Sequence, residues 1–326
     1  MHKKFITGIA TVAASALLLA ACGGEGGGED TADAQDSELR EITVGVLSIA
    51  PSVGVAYGIE HGIFEEHGFD VNYEVSPAGA AMLPAVSAGQ MDFGVGNPLS
   101  VVTAVDQGLD MKIVAGYSNS LEEGEDVAGV VTRADSDIET WADLEGKTTA
   151  VNALNTLGDL TVMNLAEQDG ADPQALEFSE ISFPDMPAQL ERGNTDAVWI
   201  PEPFLSGLLA DEENQLIGYS FQENDPGMAT MVTFTSGDLA GEDPEMAADF
   251  GDAMTEALAA AEEDQEGSRE LLVEFLEISE EDAENLVMER LDGELNRDQL
   301  MDMVELADRY DFIGDAPTED DLFLND

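Results

Sequence analysis

The chain has 326 residues, 70 of them acidic and 11 basic, for a formal charge of −59. A polyanion of this kind repels phosphate backbones and anionic headgroups, which excludes nucleic-acid binding and leaves membrane contact to an anchor other than charge. The apolar share of 44% is that of a globular protein of one large domain or two lobes, and a single cysteine leaves no intramolecular disulfide to form.

The first residues carry a charged start, His2, Lys3 and Lys4, and then an apolar run that is too short for a comfortable membrane span of roughly 20 residues. Residues 1–21 therefore read as a signal peptide, outside the fold. Leu19-Ala20-Ala21-Cys22-Gly23 resembles the lipobox of bacterial lipoproteins, which implies that Cys22 is the lipidated N-terminus of the mature chain. From Gly23 to Ser37 hardly an apolar residue appears, so residues 22–40 are predicted to be a flexible, lipidated tether.

The folded region opens with the β-branched alternation of residues 42–47, a predicted strand, and a loop over 48–52. A helix is expected over 54–66, with Ala56, Ile59 and Ile63 on one face and Gly68 as its stop. The same order recurs a hundred residues on, as a strand at 148–152, a loop at 153–157 and a helix at 159–168 stopped by Gly170. A second echo pairs Ala88-Gly89-Gln90-Met91-Asp92 with Arg192-Gly193-Asn194-Thr195-Asp196, each a helix end, a glycine and an aspartate before an apolar run. Repeated strand–helix units imply parallel sheets, two α/β lobes and a cleft at the carboxyl ends of the strands. The last third is helical: Met246, Phe250, Ala253 and Ala257 keep a 3.6 period, Ser279 with Asp282 resembles a capping box, and Asn296 opens a helix through Leu300, Met303, Ala307 and Tyr310. These helices are expected to complete the first lobe after the chain crosses back through residues 229–235.

The acids are spread along the chain as a solvated surface, for example at Glu262-Glu263-Asp264 and Glu280-Glu281-Asp282. Their self-repulsion is relieved where salt shortens the Debye length, so a salt-adapted, halophilic source is expected. No metal site is predicted: in Asp135-Ser136-Asp137-Ile138-Glu139 the next residue is Thr140, where a calcium loop of this pattern needs glycine.

Val44-Gly45-Val46-Leu47 followed by Gly58-Ile59-Glu60-His61-Gly62-Ile63-Phe64 resembles the opening of the nitrate/sulfonate/taurine-type substrate-binding proteins of ABC importers, within the thiamine-pyrimidine-precursor-like superfamily. Asp143-Leu144-Glu145-Gly146-Lys147 and Asp196-Ala197-Val198-Trp199-Ile200-Pro201-Glu202-Pro203-Phe204 extend the likeness through most of the folded region. The resemblance implies a two-lobed α/β periplasmic-binding-protein type II clamshell, with lobe 1 over 41–132 plus 228–326 and lobe 2 over 133–227. It further implies a cofactor-free, non-enzymatic monomer, lipid-anchored on the extracytoplasmic face of the cell membrane, that hands a small solute to a permease and its ATPase.

The family's binding loops fall on Ser48, Ile49, Ala50 and Pro51, on Gly96, Asn97 and Pro98, and on Tyr117, Ser118 and Asn119. The remaining expected contacts are Asn155, Thr156, Gly158, Trp199 and Glu202. A helix starting near Thr156 offers N–H groups to an anion such as a sulfonate or nitrate. Asp159 in its first turn, Asp185 and Glu202 oppose that reading, and none of the seven arginines falls in these loops. Tyr117 reads either as a stacking surface for a flat pyrimidine or other heteroaromatic thiamine precursor or as plain core, and Trp199 carries the same two readings. Asp159 is a ligand contact or a helix-start residue, Glu202 a ligand or a structural residue, and Met186 lines the cleft or packs.

An enzyme on the same fold, a pyrimidine synthase that consumes its own histidine and a lysine-bound cofactor, is the rival function. His61 and His67 lie on or just after the first predicted helix, and Lys112 and Lys147 flank strands, away from the cleft loops. No nucleophile elbow, zinc spacing or phosphate loop is present.

Overall fold

The computed structural model describes residues 39–324, so the expected signal segment, Cys22 and the tether up to residue 38 lie outside the described residues. The β-branched alternation at the start forms strand β1 (Arg40–Leu47), whose Ile42, Val44 and Val46 are buried. The single helix expected over 54–66 is instead two, α1 (Val53–Glu60) and α2 (Ile63–Glu66). Gly62 between them adopts φ 70°, a left-handed turn that glycine takes without a steric penalty and that ends the first helix. The chain continues through β2 (Phe69–Ser76), α3 (Gly79–Ser87), β3 (Phe93–Gly96), α4 (Pro98–Asp106) and β4 (Met111–Asn119).

A second run follows: β5 (Ala128–Arg133), β6 (Thr148–Val151), α5 (Leu157–Gln168), β7 (Glu177–Glu180), α6 (Met186–Glu191), β8 (Ala197–Pro201), α7 (Phe204–Leu209), β9 (Asn214–Gly218) and α8 (Ser220–Asn224). The chain then returns as β10 (Ala229–Ser236). It ends in α9 (Gly237–Glu242), α10 (Pro244–Glu263), α11 (Gln265–Phe275), α12 (Glu280–Asn285), β11 (Arg290–Leu291), α13 (Arg297–Arg309) and α14 (Glu319–Leu322).

The strands form two sheets, β11-β4-β10-β3-β1-β2 and β7-β6-β8-β5-β9. Apart from β11, the two orders correspond strand for strand. In each, three parallel strands (β2-β1-β3 and β7-β6-β8) are followed by one antiparallel strand, β10 or β5, that has just arrived from the other sheet. The chain therefore crosses between sheets twice, over residues 120–127 and 219–228.

The echo in the sequence has a common structural cause. Gly89 and Gly193 adopt φ 66° and 67°, which frees the chain to turn from helix into strand. The Asp92 carboxylate then accepts the Thr43 N–H at 2.8 Å while its own N–H donates to Thr43 O at 2.9 Å. Asp196 repeats both contacts with Thr148, each at 2.9 Å. Thr235 on β10 and Thr132 on β5 each donate a hydroxyl to the carbonyl of the same aspartate at 2.7 Å. Each aspartate thus ties together the first parallel strand, its own and the incoming antiparallel one.

The helical periodicity of the last third is also realised. Met246, Phe250, Ala253 and Ala257 form the buried face of α10, and the Phe250 ring stacks on Phe93 at 3.9 Å. Ser279 caps α12 by accepting the Asp282 N–H, and Asn296 caps α13 by accepting that of Gln299. All eight residues of β10 are buried, as a strand covered on both faces requires.

Candidate functional site

Four parallel strands end at one place. Leu47 at the end of β1 and Ile49 after it, Asn97 after β3, Asn152 after β6, and Trp199 with Pro201 on β8 line a cleft between the two sheets. Backbone groups and connecting loops converge at strand ends, which is why open α/β sheets place ligands there. Thr230 and Met231 of β10, Glu289 just before β11, and Phe183, Phe221 and Thr156 complete the wall.

One side is aromatic. Trp199 lies 5.9 Å from the Phe183 ring and meets Phe221 edge-on at 5.5 Å, and its indole N–H donates to Ser220 Oγ at 2.8 Å, which fixes the ring in place. Behind it, Gly158 leaves no room for a side chain: a Cβ there would sit 2.9 Å from the indole.

The start of α5 carries its own anion. Asp159 is buried, and its carboxylate accepts the N–H of Thr156 and that of Asn155, both at 2.7 Å. Asn155 adopts φ 57°, which asparagine tolerates better than most residues and which turns its N–H toward that carboxylate. Burial raises the Asp159 pKa to about 6, with the backbone N–H groups pulling against it.

The floor carries a second buried carboxyl. Glu289 is 6% exposed, and Thr230 Oγ1 lies 2.5 Å from its Oε2. That hydroxyl also lies 2.9 Å from both Ser118 O and Ser118 Oγ, so the carboxyl joins a buried network with β4. Burial pushes the Glu289 pKa up to about 7; the Ser118 and Thr230 hydroxyls oppose the rise and the Asp126 carboxylate adds to it. Asp126 lies in the first crossing segment, accepts the N–H of Leu121 at 2.8 Å and that of Gln222 at 3.1 Å, and so joins the two crossings. Among the described residues, no lysine or arginine lines the cleft.

Of the residues expected to bind, Asn97, Thr156 and Trp199 reach the cleft wall, as does Ile49. Ser48 is exposed at its mouth beside Phe183 and Phe204. The others do not line it. Ala50 and Pro51 are buried, and Pro51 O accepts the Tyr117 hydroxyl at 2.9 Å. Tyr117 is thereby corrected from stacking surface to core: it is fully buried and supports the first binding loop from beneath, and burial raises its pKa. Ser118 bonds to Thr230, while the Asn119 amide spans Ser118 O at 3.0 Å and the Arg290 guanidinium at 2.9 Å. Gly96 packs against Gly79, and Gly158 and Asn155 serve Trp199 and Asp159 as described. Glu202 is corrected from ligand to structural residue, because it accepts the N–H and hydroxyl of Ser206 and holds the start of α7. Met186 is fully buried in the core.

Sequence reasoning missed Glu289, Thr230, Phe183 and Phe221. The one local signal for Glu289 is its place between Val287-Met288 and Leu291, two of which, Met288 and Leu291, are buried.

The family model described as NMT1/THI5 like matches residues 50–268. A protein of Brachyspira hyodysenteriae, provisionally named an ABC transporter periplasmic binding protein, is 25% identical over 214 residues, which span 61% of this chain and 58% of that relative's length. Among solved structures, the alkanesulfonate-binding protein SsuA of Xanthomonas axonopodis pv. citri, bound to MOPS, superposes with a TM-score of 0.72 at 16% identity, covering 88% of this chain and 97% of SsuA. The ligand-binding component of an ABC-type import system from Staphylococcus aureus gives 0.73 at 13% identity, over 87% of this chain and 96% of that one. The periplasmic nitrate-binding protein NrtA of Synechocystis PCC 6803 gives 0.70 at 13% identity, over 87% and 84%. These likenesses establish the periplasmic-binding-protein fold, an α/β architecture of two sheets.

Proposed function

The chain belongs to the NMT1/THI5-like family, and from that premise we propose that it is the extracytoplasmic solute-binding protein of an ABC importer. It closes two lobes, one built on each sheet, on one small solute and presents the closed form to a permease; because β5 (Ala128–Arg133) belongs to the second sheet, the boundary falls in the crossing at residues 120–127 rather than after residue 132. A ligand touching both walls favours closure by its differential affinity for the closed state. Lipidation at Cys22 would keep the receptor beside its transporter as a monomer, on a tether that ends before β1 begins at Arg40.

The observation that carries the choice of solute is the wall itself: Trp199, Phe183 and Phe221 beside Asn97, Asn152 and Glu289, with no cation among the lining residues. This supports a planar organic solute such as a pyrimidine or another heteroaromatic over a sulfonate, taurine or nitrate. A free oxyanion would meet the Glu289 carboxyl, and the α5 start that suits an anion is already filled by Asp159.

A catalytic role on the same fold lacks support in the placement of its residues. His61 stacks on Tyr57 at 3.9 Å, His67 pairs with Glu256, and Lys112 donates to the carbonyls of Asp320 and Asp321.

A thermal-shift screen in molar salt tests the reading, with pyrimidines and other heteroaromatics against taurine, alkanesulfonates and nitrate. A ligand at 100 times its Kd adds about 2.7 kcal/mol of stability. Heteroaromatics are expected to shift the melting temperature, and a shift with taurine or nitrate alone would overturn the choice of solute.

A further inference from the structure

We infer that the solute captured in this cleft carries a positive charge and that Glu289 is its counter-charge. The inference rests on the cleft being a solute site, as proposed above, and adds the charge of the occupant and the residue that selects it.

Four observations converge. Glu289 is 94% buried and lines the cleft, with its carboxyl held beside Thr230 of β10, another lining residue. No lysine or arginine lines the same space, and a carboxylate buried without a cation is costly unless a ligand brings one. The remaining wall is aromatic, from Trp199, Phe183 and Phe221, and aromatic rings beside a carboxylate are the usual surroundings of a bound organic cation. The −59 formal charge concentrates cations near the protein and disfavours anions.

The charged neighbours of Glu289 agree. Asp126 in the crossing segment raises its pKa, and Tyr117 on β4 is neutral and committed to Pro51 O. Arg290, the adjacent residue, is turned away to Asp292 at 2.6 Å, and Glu262 on α10 accepts the Leu291 N–H at 2.9 Å. Across the cleft Asp159 is occupied by backbone N–H groups. None of these supplies a cation to the cleft.

The inference fixes a proton balance. A permanent cation pairs with the carboxylate, so where Glu289 is protonated, binding releases one proton: the acid and the cation become an ion pair plus a free proton. Affinity for such a cation therefore rises about tenfold per pH unit up to the Glu289 pKa of the free protein, about 7, and levels off above it.

Calorimetry of the purified chain in molar salt, from pH 5.5 to 8.5, tests this with two cation and neutral pairs of matched shape: benzamidine with benzamide, and choline with 3,3-dimethylbutan-1-ol. At least one cation is expected to bind about tenfold or more tighter than its neutral partner, with the pH profile above. Glu289→Gln should weaken that cation about tenfold or more and flatten the profile, while melting no lower than the native chain. Thr230→Val keeps the carboxyl but removes a donor to it, and should move the midpoint to higher pH without abolishing binding. Equal binding of a neutral partner, an unchanged affinity in Glu289→Gln, or failure of both cations would overturn the assignment. If no cation binds more tightly than its neutral partner while benzamide or a pyrimidine perturbs tryptophan fluorescence, the charge assignment fails and the solute cleft stands. If no solute of any charge perturbs it, both fail.

Discussion

Asp159 closes back on Thr156: the carboxylate of the third residue of α5 accepts the backbone N–H of the residue that caps the helix, at 2.7 Å, and that of Asn155 at the same distance. A helix start that would suit an external anion is in this way satisfied from within. Asp159→Ala leaves two N–H groups, that of buried Thr156 and that of Asn155, without their acceptor, and should lower stability by about 1–2 kcal/mol. Chemical denaturation at neutral pH measures it, and an unchanged midpoint would mean that water replaces the carboxylate at no cost.

Gly158 and Trp199 share one space. Gly158→Ala places a methyl group about 2.9 Å from an indole that Ser220 holds in place, so the ring must shift. Overpacking of this kind costs about 1–3 kcal/mol, and the shifted wall should also change Trp199 fluorescence. Pairing the variant with Trp199→Leu should restore part of the loss, whereas additive losses would show that the two residues do not compete for the same volume.

Glu289 gives stability a defined pH dependence. The folded chain keeps its proton up to about pH 7, while an unfolded glutamate releases it near 4.5. The folded state therefore binds more protons between those values, and stability falls as pH rises through that window. The effect is at most about 3 kcal/mol between pH 4.5 and 8. Glu289→Gln should match the native chain at pH 4.5 and exceed it at pH 8. Urea denaturation at the two pH values checks the sign, and a variant less stable than native at pH 8 would contradict it.

The acidic surface makes salt a stabiliser. Ion pairs such as Arg40 with Asp243 and Arg290 with Asp292 involve few of the 70 acids, so like-charge repulsion dominates in dilute buffer. At 1 M salt the Debye length is about 3 Å, and the melting temperature should rise between dilute and molar potassium chloride. A flat or falling curve would remove the grounds for a salt-adapted protein.

What the sequence determined by itself is what short-range chemistry encodes. The turns at Gly89 and Gly193, the 3.6 period of α10 and the caps Ser279 and Asn296 were all legible. Each depends on residues within a few positions of one another, as did the two-sheet α/β architecture read from the repeated units. The break at Gly62 was missed because helix periodicity continues across it, while a single left-handed residue interrupts the hydrogen-bond ladder.

The site was legible only in part. Asn97, Thr156 and Trp199 could be placed because they stand at strand ends or helix starts, where the chain must turn toward the cleft. Tyr117 could not be separated from a cleft residue, since the direction of its ring depends on Pro51, 66 positions away. Tertiary structure alone decided that Glu289, Thr230, Phe183 and Phe221 meet across one space, because the chain crosses twice between the sheets before its last third returns. No local pattern records which distant segments will share a cavity, and burial, which sets the chemistry of Glu289, exists only once they do.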